Sequence, residues 1–363
     1  MVKRNPRLIA LATRTPPHVI AQGAVKRFAA EMFAQTIGSD ARLLEIFDNA
    51  EIEERRLCVP LDWLAADHGF AEKNDRFIDY AVRLATDVTR AVLERAGLSA
   101  RDVDHLVFVS STGIATPSID ARLANVMGFR SDFRRTPVWG LGCAGGAAGL
   151  SLARDFALAN PSARVLLIAL ELCSLTFQRS DLSKKNLVAA ALFGDGAAAA
   201  IVAGSEAQVT GDRHHAPLEL IASQSVLWPD SLDVMGWTVD GDGLHVVFSR
   251  DIPAIVHENV RPSLATFLSA QGLRLDEVAH IVTHPGGARV LCAYGDALGL
   301  SPGRFAHARR VLREFGNMSS PSCLFVLERF LAAGDIAPGD HAVIAALGPG
   351  FSAEYVLAQG DRS

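Results

Sequence analysis

Two stretches far apart in the chain read alike, and this repeat constrains the fold more than any other feature. Residues 102–109 read DVDHLVFV and residues 276–282 read DEVAHIV. In each, an acidic, helix-ending stretch leads into an apolar run of strand length. His105 and His280 stand at the same offset, to within one residue, as Cys143 and Asn317. Cys143 and Asn317 both follow a glycine and open an apolar helix, expected over residues 144–158 and 320–332. Each helix leads to a strand (165–171 or 342–347), then to a turn, Gly194-Asp195-Gly196 or Gly348-Pro349-Gly350, and then to a last strand (197–204 or 352–360). The first half alone carries an insertion, residues 172–193, before its last strand. Strand–helix–strand units can look alike by chance, but agreement at two independent places argues for gene duplication and two similar domains. The domains are placed at residues 1–210, with Cys143, and 211–363, with His284 and Asn317; the polar stretch 205–217 is the junction.

Composition agrees with an α/β chain. Of the 363 residues, 49% are hydrophobic but only 7% aromatic. Ala, Val, Leu and Ile supply the rest, as in parallel strands covered on both faces. A large core and a buried dimer interface would account for the positive mean hydropathy. The net charge of −5, with no long run of one sign, leaves no footprint for nucleic acid. No apolar run is long enough to span a membrane. The first such run, residues 8–12, is too short for a secretory signal and is followed by Pro16 and Pro17, so it reads as a strand. Five cysteines (Cys58, Cys143, Cys173, Cys292 and Cys323) show no metal-ligand spacing. An odd, scattered set fits a reducing compartment, and a cytoplasmic protein is expected.

Three residues point to chemistry. Cys143 stands where a strand ends, glycines turn the chain and a helix starts. Unpaired N–H groups and the helix dipole favour an anion there, which lowers a thiol's pKa. A buried packing cysteine is the plainer reading. The segment from Gly140 to Gly145 also matches the GxGxxG pattern, with Glu171 placed to bind a ribose, but the cysteine has no role in that reading. His284 follows a strand and precedes Pro285-Gly286-Gly287, where two glycines leave room for a slender ligand such as a pantetheine arm. Asn317 alone would be an ordinary N-cap; its alignment with Cys143 sets it at a shared centre. Together they describe a condensation. The thiolate, held ionised by His284, takes an acyl group from a thioester. His284 and Asn317 then donate to a second thioester's carbonyl oxygen as malonyl loses carbon dioxide. No metal and no redox cofactor is needed.

In its motifs the chain resembles the type III polyketide synthases, the chalcone-synthase-like branch of the thiolase superfamily. The resemblance runs from Leu8 to Leu357. It is carried by Gly142-Cys143-Ala144-Gly145-Gly146, Ala191-Leu192-Phe193-Gly194-Asp195-Gly196, His284-Pro285-Gly286-Gly287, Gly316-Asn317-Met318-Ser319-Ser320 and Gly348-Pro349-Gly350. It implies a thiolase-like duplicated αβαβα layered sandwich, active as a homodimer on acyl-CoA and malonyl-CoA, with Cys143 the nucleophile and His284 and Asn317 driving decarboxylation and condensation. It makes Phe193 a gatekeeper aromatic. Val246 falls where a second gatekeeper Phe is usual, which should widen the passage. Thr116 falls where plant enzymes place a Met that reaches across the dimer. Ser111, Glu171 and Ser319 match a hydrogen-bond network that steers ring closure in some members, and Phe351 ends the loop shaping the cyclisation pocket.

Within the family, residues 235–237 and 247–253 look like bacterial enzymes that make alkylpyrones or alkylresorcinols from fatty acyl starters. Thr112 and Cys173 match positions lining their acyl tunnel. Residues 171–174 also resemble a malonyl-primed enzyme that makes a hydroxylated naphthalene. Residues 43–50 lack the basic side chains that plant members place near coenzyme A phosphates. Gly286, Gly287 and Arg289 are the residues expected at the coenzyme A arm. The spacing of Arg289 from His284 resembles the carrier-docking Arg of ketoacyl synthase III, so an acyl carrier protein is a possible donor. A single-extension ketoacyl synthase III-like enzyme is the nearest alternative. A non-catalytic scaffold on the same fold is the other.

Overall fold

Residues 195–203, DGAAAAIVA, lack the alternation of a half-exposed strand because both faces of that strand are covered. In the computed structural model, which describes residues 4–38, 40–208 and 217–361, every residue of the run is buried. The strands in chain order are β1 (Arg7–Arg14), β2 (His18–Ala21), β3 (Glu54–Leu57), β4 (His105–Val109), β5 (Arg134–Val138), β6 (Arg164–Leu172) and β7 (Asp195–Ala203). There follow β8 (Leu218–Leu227), β9 (Met235–Asp240), β10 (Gly243–Phe248), β11 (His280–Thr283), β12 (His341–Gly348) and β13 (Ser352–Gly360). Nine form one sheet in the order β11-β12-β13-β8-β1-β7-β6-β4-β5, while β2 pairs with β3 and β9 with β10 separately.

The sequence repeat has its counterpart in the pairing. β4 is parallel to β6, β6 antiparallel to β7, and β7 antiparallel to β1. In the second half β11 is parallel to β12, β12 antiparallel to β13, and β13 antiparallel to β8. The halves join through β1 and β8, where Arg7 faces Glu219 and Leu8 faces Leu218. The junction expected at 210/211 lies outside the described residues.

Side-chain alternation along each strand divides the core into layers. On β7, Ala197, Ala199, Ile201 and Ala203 join the cluster under the long helix Phe70–Ala96. Ala198, Ala200 and Val202 face the other way, into the larger cluster. That cluster holds the helices Gly145–Ala159 and Ser322–Ala333, which pack between the two half-sheets. The helices Ile252–Ser269 and Ala288–Leu298 pack on each other outside the second half-sheet. The order is αβαβα. Each buried Val, Leu or Ile contributes about 1.5–3 kcal/mol.

The two central helices meet at their N-termini, and small residues let them. A Cβ placed on Gly146 would lie 2.2 Å from the Ser320 carbonyl oxygen and 2.7 Å from Cys323 Sγ. Gly146→Ala should gain about 1 kcal/mol of helix propensity and lose about 1–3 kcal/mol to overpacking. The obstacle is backbone, which no rotamer change can clear, so the loss wins. Thermal unfolding of the variant is expected below that of the wild type, and an equal or higher midpoint would contradict this account of the interface.

Candidate active site

Cys143 lies in the turn Gly142–Ala144 that leads directly into the helix Gly145–Ala159. Two neighbours brace the turn. Ser111 Oγ accepts from Gly140 N at 3.3 Å and Gly142 N at 3.1 Å. On the other side the loop after β12 presses close: a Cβ on Gly348 would lie 2.5 Å from Leu141 O and 2.8 Å from Ala144 N. Only glycine permits that approach.

Asn317 is held at four points. Its N donates to Leu192 O (2.8 Å) and its O accepts from Gly194 N (3.0 Å). Its Nδ2 donates to Gly286 O (3.2 Å), and its Oδ1 accepts from Ser319 N (2.8 Å). Its second amide hydrogen faces the Cys143 sulfur. Ser319 has φ 59°, a left-handed conformation that few non-glycine residues adopt.

His284 continues β11 by one bond, N to Ala345 O at 2.9 Å. Its ring is buried, and both ring nitrogens are without a hydrogen-bond partner. Buried polar groups are nearly always paired, so such a ring stands ready for a group brought in by a ligand. Cys143, His284 and Asn317 line one cavity of ≈ 360 Å³, together with Gly286, Tyr294 and Phe351.

Burial dominates the electrostatics. It pushes the Cys143 thiol up to about 11, and the Glu171 charge adds to the rise, while hydrogen bonds from Ser319 and Asn317 oppose it. Burial lowers His284 to about 3. Both shifts run toward neutral thiol and neutral imidazole, against the lowered thiol pKa expected from the sequence: desolvation opposes the favourable position at the helix N-terminus. Burial likewise raises Glu171 to about 7, against bonds from Ser111 N, Ser320 Oγ, Thr112 Oγ1 and Ser110 Oγ.

The other expected residues divide. Cys173, Phe193, Val246 and Ser319 line a cavity of ≈ 380 Å³ that shares Cys143 with the first. Ser111 and Glu171 line neither; both sit beneath the Cys143 turn as braces. Ser320, not Ser319, bonds Glu171, because the left-handed turn at Ser319 delivers the next side chain to the carboxylate. Thr112 bonds Glu171 and lines a separate cavity beside Lys73. Thr116 is exposed and lines neither of these cavities. Gly287 is buried beside Leu192, and Arg289 is exposed on the first turn of the helix Ala288–Leu298.

Sequence reasoning missed Phe248. Its ring packs 5.9 Å from that of Phe193. It lies two residues beyond Val246 on β10, hence on the same face. Met235 and Trp237 pair across to Phe248 and Val246. The widening expected from Val246 is thus limited by an aromatic close by. The strand's period of two was the available signal.

Models of two families match the chain: chalcone and stilbene synthases, N-terminal domain, over residues 3–206, and chalcone and stilbene synthases, C-terminal domain, over residues 219–360. A 1,3,6,8-tetrahydroxynaphthalene synthase of Streptomyces peucetius subsp. caesius is 40% identical over 98% of this chain and 94% of that protein. The alpha-pyrone synthesis polyketide synthase-like Pks18 of Mycobacterium tuberculosis is 29% identical over 96% of this chain and 89% of that protein. The crystal structure of 1,3,6,8-tetrahydroxynaphthalene synthase from Streptomyces coelicolor A3(2), a bacterial type III polyketide synthase, superposes with a TM-score of 0.91 at 30% identity, covering 98% of this chain and 100% of that one.

The thiol's environment sets a pH response. Alkylation of Cys143 by iodoacetamide, followed by peptide mass spectrometry, should keep rising with pH through the alkaline range. Glu171→Gln removes a negative charge that disfavours the thiolate, so the profile should move to lower pH; Ser319→Ala removes a supporting hydrogen bond and should move it higher. A rate already flat at neutral pH would mean a resident thiolate and contradict this.

Proposed function

We propose a reaction for a chain that belongs to the chalcone and stilbene synthase family, the type III polyketide synthases: it loads a fatty acyl group from coenzyme A onto Cys143, extends it repeatedly with malonyl-CoA, and closes the product to an alkylpyrone or alkylresorcinol. His284 takes the thiol proton as the Cys143 sulfur attacks the thioester carbonyl; the carbon–sulfur bond to coenzyme A breaks, and coenzyme A leaves with that proton. Malonyl-CoA then sets its thioester oxygen between the imidazole and the Asn317 amide hydrogen, which the acylated sulfur no longer engages. Loss of carbon dioxide leaves an enolate with its charge on that oxygen. The enolate carbon attacks the acyl-cysteine carbonyl, and the Cys143 thiolate leaves, ready to take the lengthened chain back.

The observation that carries this reading is one cavity holding a sulfur, an imidazole with two unpartnered nitrogens and a carboxamide whose second amide hydrogen faces that sulfur. The alkyl starter is favoured by a third cavity of ≈ 550 Å³, which shares Cys173, Phe193, Trp237 and Val246 with the second. Its walls are largely apolar, with Val25, Phe28, Leu57, Leu61, Leu64 and Phe177 among them. The relatives that make tetrahydroxynaphthalene favour a second reading, in which malonyl-CoA is also the starter. For exposed Arg289 the proposed role is to meet the phosphates of coenzyme A or of an acyl carrier protein. The active form is taken to be a cytoplasmic homodimer. Ile114 and Trp139 are exposed apolar side chains near Thr116, with Trp139 Nε1 donating to Gly113 O at 3.2 Å, and such surface suits a partner.

Two measurements test the reading. Asn317→Ala should lower carbon dioxide release from malonyl-CoA by about 10²–10³-fold, while labelled acyl transfer to Cys143 persists; transfer should vanish in Cys143→Ala. Across an acyl-CoA series, kcat/KM should rise about fourfold per methylene, from ~0.8 kcal/mol each, until the apolar cavity is full. Leu64→Trp should shorten the longest chain accepted. A flat series, with the full rate from malonyl-CoA alone, would favour the naphthalene-type product, and a single extension without ring closure would favour the ketoacyl synthase III-like alternative.

A further inference from the structure

The helix Lys184–Leu192 ends at Phe193, and each carbonyl of its last turn has a donor. Ala189 O accepts from Phe193 N at 3.0 Å and Leu192 O from Asn317 N at 2.8 Å. Those of Ala190, Ala191 and Phe193 all accept from one side chain, the Arg55 guanidinium, at 2.7, 2.7 and 2.9 Å. Arg55 is on β3 and only 1% exposed. Gln22 donates to Ala191 O at 3.0 Å and accepts another bond from Arg55. The Arg55 stem fills the same joint: a Cβ on Gly194 would lie 3.4 Å from its Cβ, and one on Gly316 3.8 Å.

A helix end needs no such device. A glycine or water satisfies the last carbonyls at little cost, whereas a buried cation is expensive. Burial pulls Arg55 down to about 9, and Asp195 acts on it only through space, its own bonds going to Cys58 and Ser174. The negative end of the helix dipole offsets part of the cost. The segment so gripped carries Phe193, and through Leu192 O and Gly194 N it forms the backbone bridge to Asn317.

We propose that Arg55 is a positioning residue for the condensation: its fork on Ala190, Ala191 and Phe193 sets where the Phe193 ring and the Asn317 carboxamide stand relative to Cys143. It touches no reacting atom. The proposal rests on Asn317 acting in decarboxylation, as read above. Cys143 is braced separately, by Ser111 and the Gly348 loop; Arg55 also lines the apolar cavity, so the loading step is read with an acetyl group, which is too short to need that cavity.

Arg55→Lys and Arg55→Met separate the two steps. An ammonium cannot reproduce the planar fork, and a displacement near 1 Å costs up to about 10²-fold. Carbon dioxide release from malonyl-CoA should fall about 10- to 100-fold in Arg55→Lys and further in Arg55→Met, while transfer of a labelled acetyl group to Cys143 falls far less. Added guanidinium should restore part of the rate in Arg55→Met. Should either variant not fold, Gln22→Leu carries the test, with a smaller loss confined to the same step. Full release in Arg55→Lys, or both steps falling together with the unfolding temperature, would overturn the proposal. Asn317→Ala is run alongside: wild-type release in that variant would defeat the reading of Asn317, and this proposal with it, whereas loss there with none in the Arg55 variants defeats this proposal alone.

Discussion

The close approach of two helix N-termini, at Gly146 and Ser320, is the contact on which the rest depends. Each helix belongs to one copy of the repeat, and each begins beside a residue of the candidate site. Any side chain at Gly146 would push the second helix away, and Ser320 with it. Ser320 bonds Glu171, Glu171 bonds the segment after β4, and Ser111 in that segment holds the Cys143 turn. A short chain of direct bonds therefore runs from the helix contact to the sulfur. Close packing makes such a chain stiff.

Electrostatically the site is a dry place with few charges. Cys143, His284 and Glu171 are all driven by burial toward their neutral forms. In the proposed reaction the thiolate is made when a substrate is present, by proton transfer to an imidazole that nothing else engages. Burial would then strengthen each hydrogen bond to a developing oxyanion.

Much of this was legible in the residues. Equal offsets between His105 and His280, and between Cys143 and Asn317, foretold strands paired in the same way in both halves, because duplicated pattern means duplicated hydrophobic faces. Three residues remote in sequence were expected to meet, and they line one cavity. What was not legible depended on local geometry or on burial. The left-handed turn at Ser319 exchanges the roles of two adjacent serines, which no composition argument anticipates. Helix position suggested a lowered thiol pKa, but the desolvation that reverses it comes from the assembled fold. Arg55 looks like one of several charges in residues 53–56, and only the structure separates it from exposed Glu53 and half-buried Glu54 and Arg56.

The hairpin of β9 and β10 stands apart from the nine-stranded sheet, yet it supplies Met235, Trp237, Val246 and Phe248 to the cavity walls. Part of the wall around Cys143 thus comes from a ribbon that shares no strand with the main sheet. Exchanges among its twelve positions, residues 235–240 and 243–248, can reshape that wall without breaking a single rung of the nine-stranded ladder.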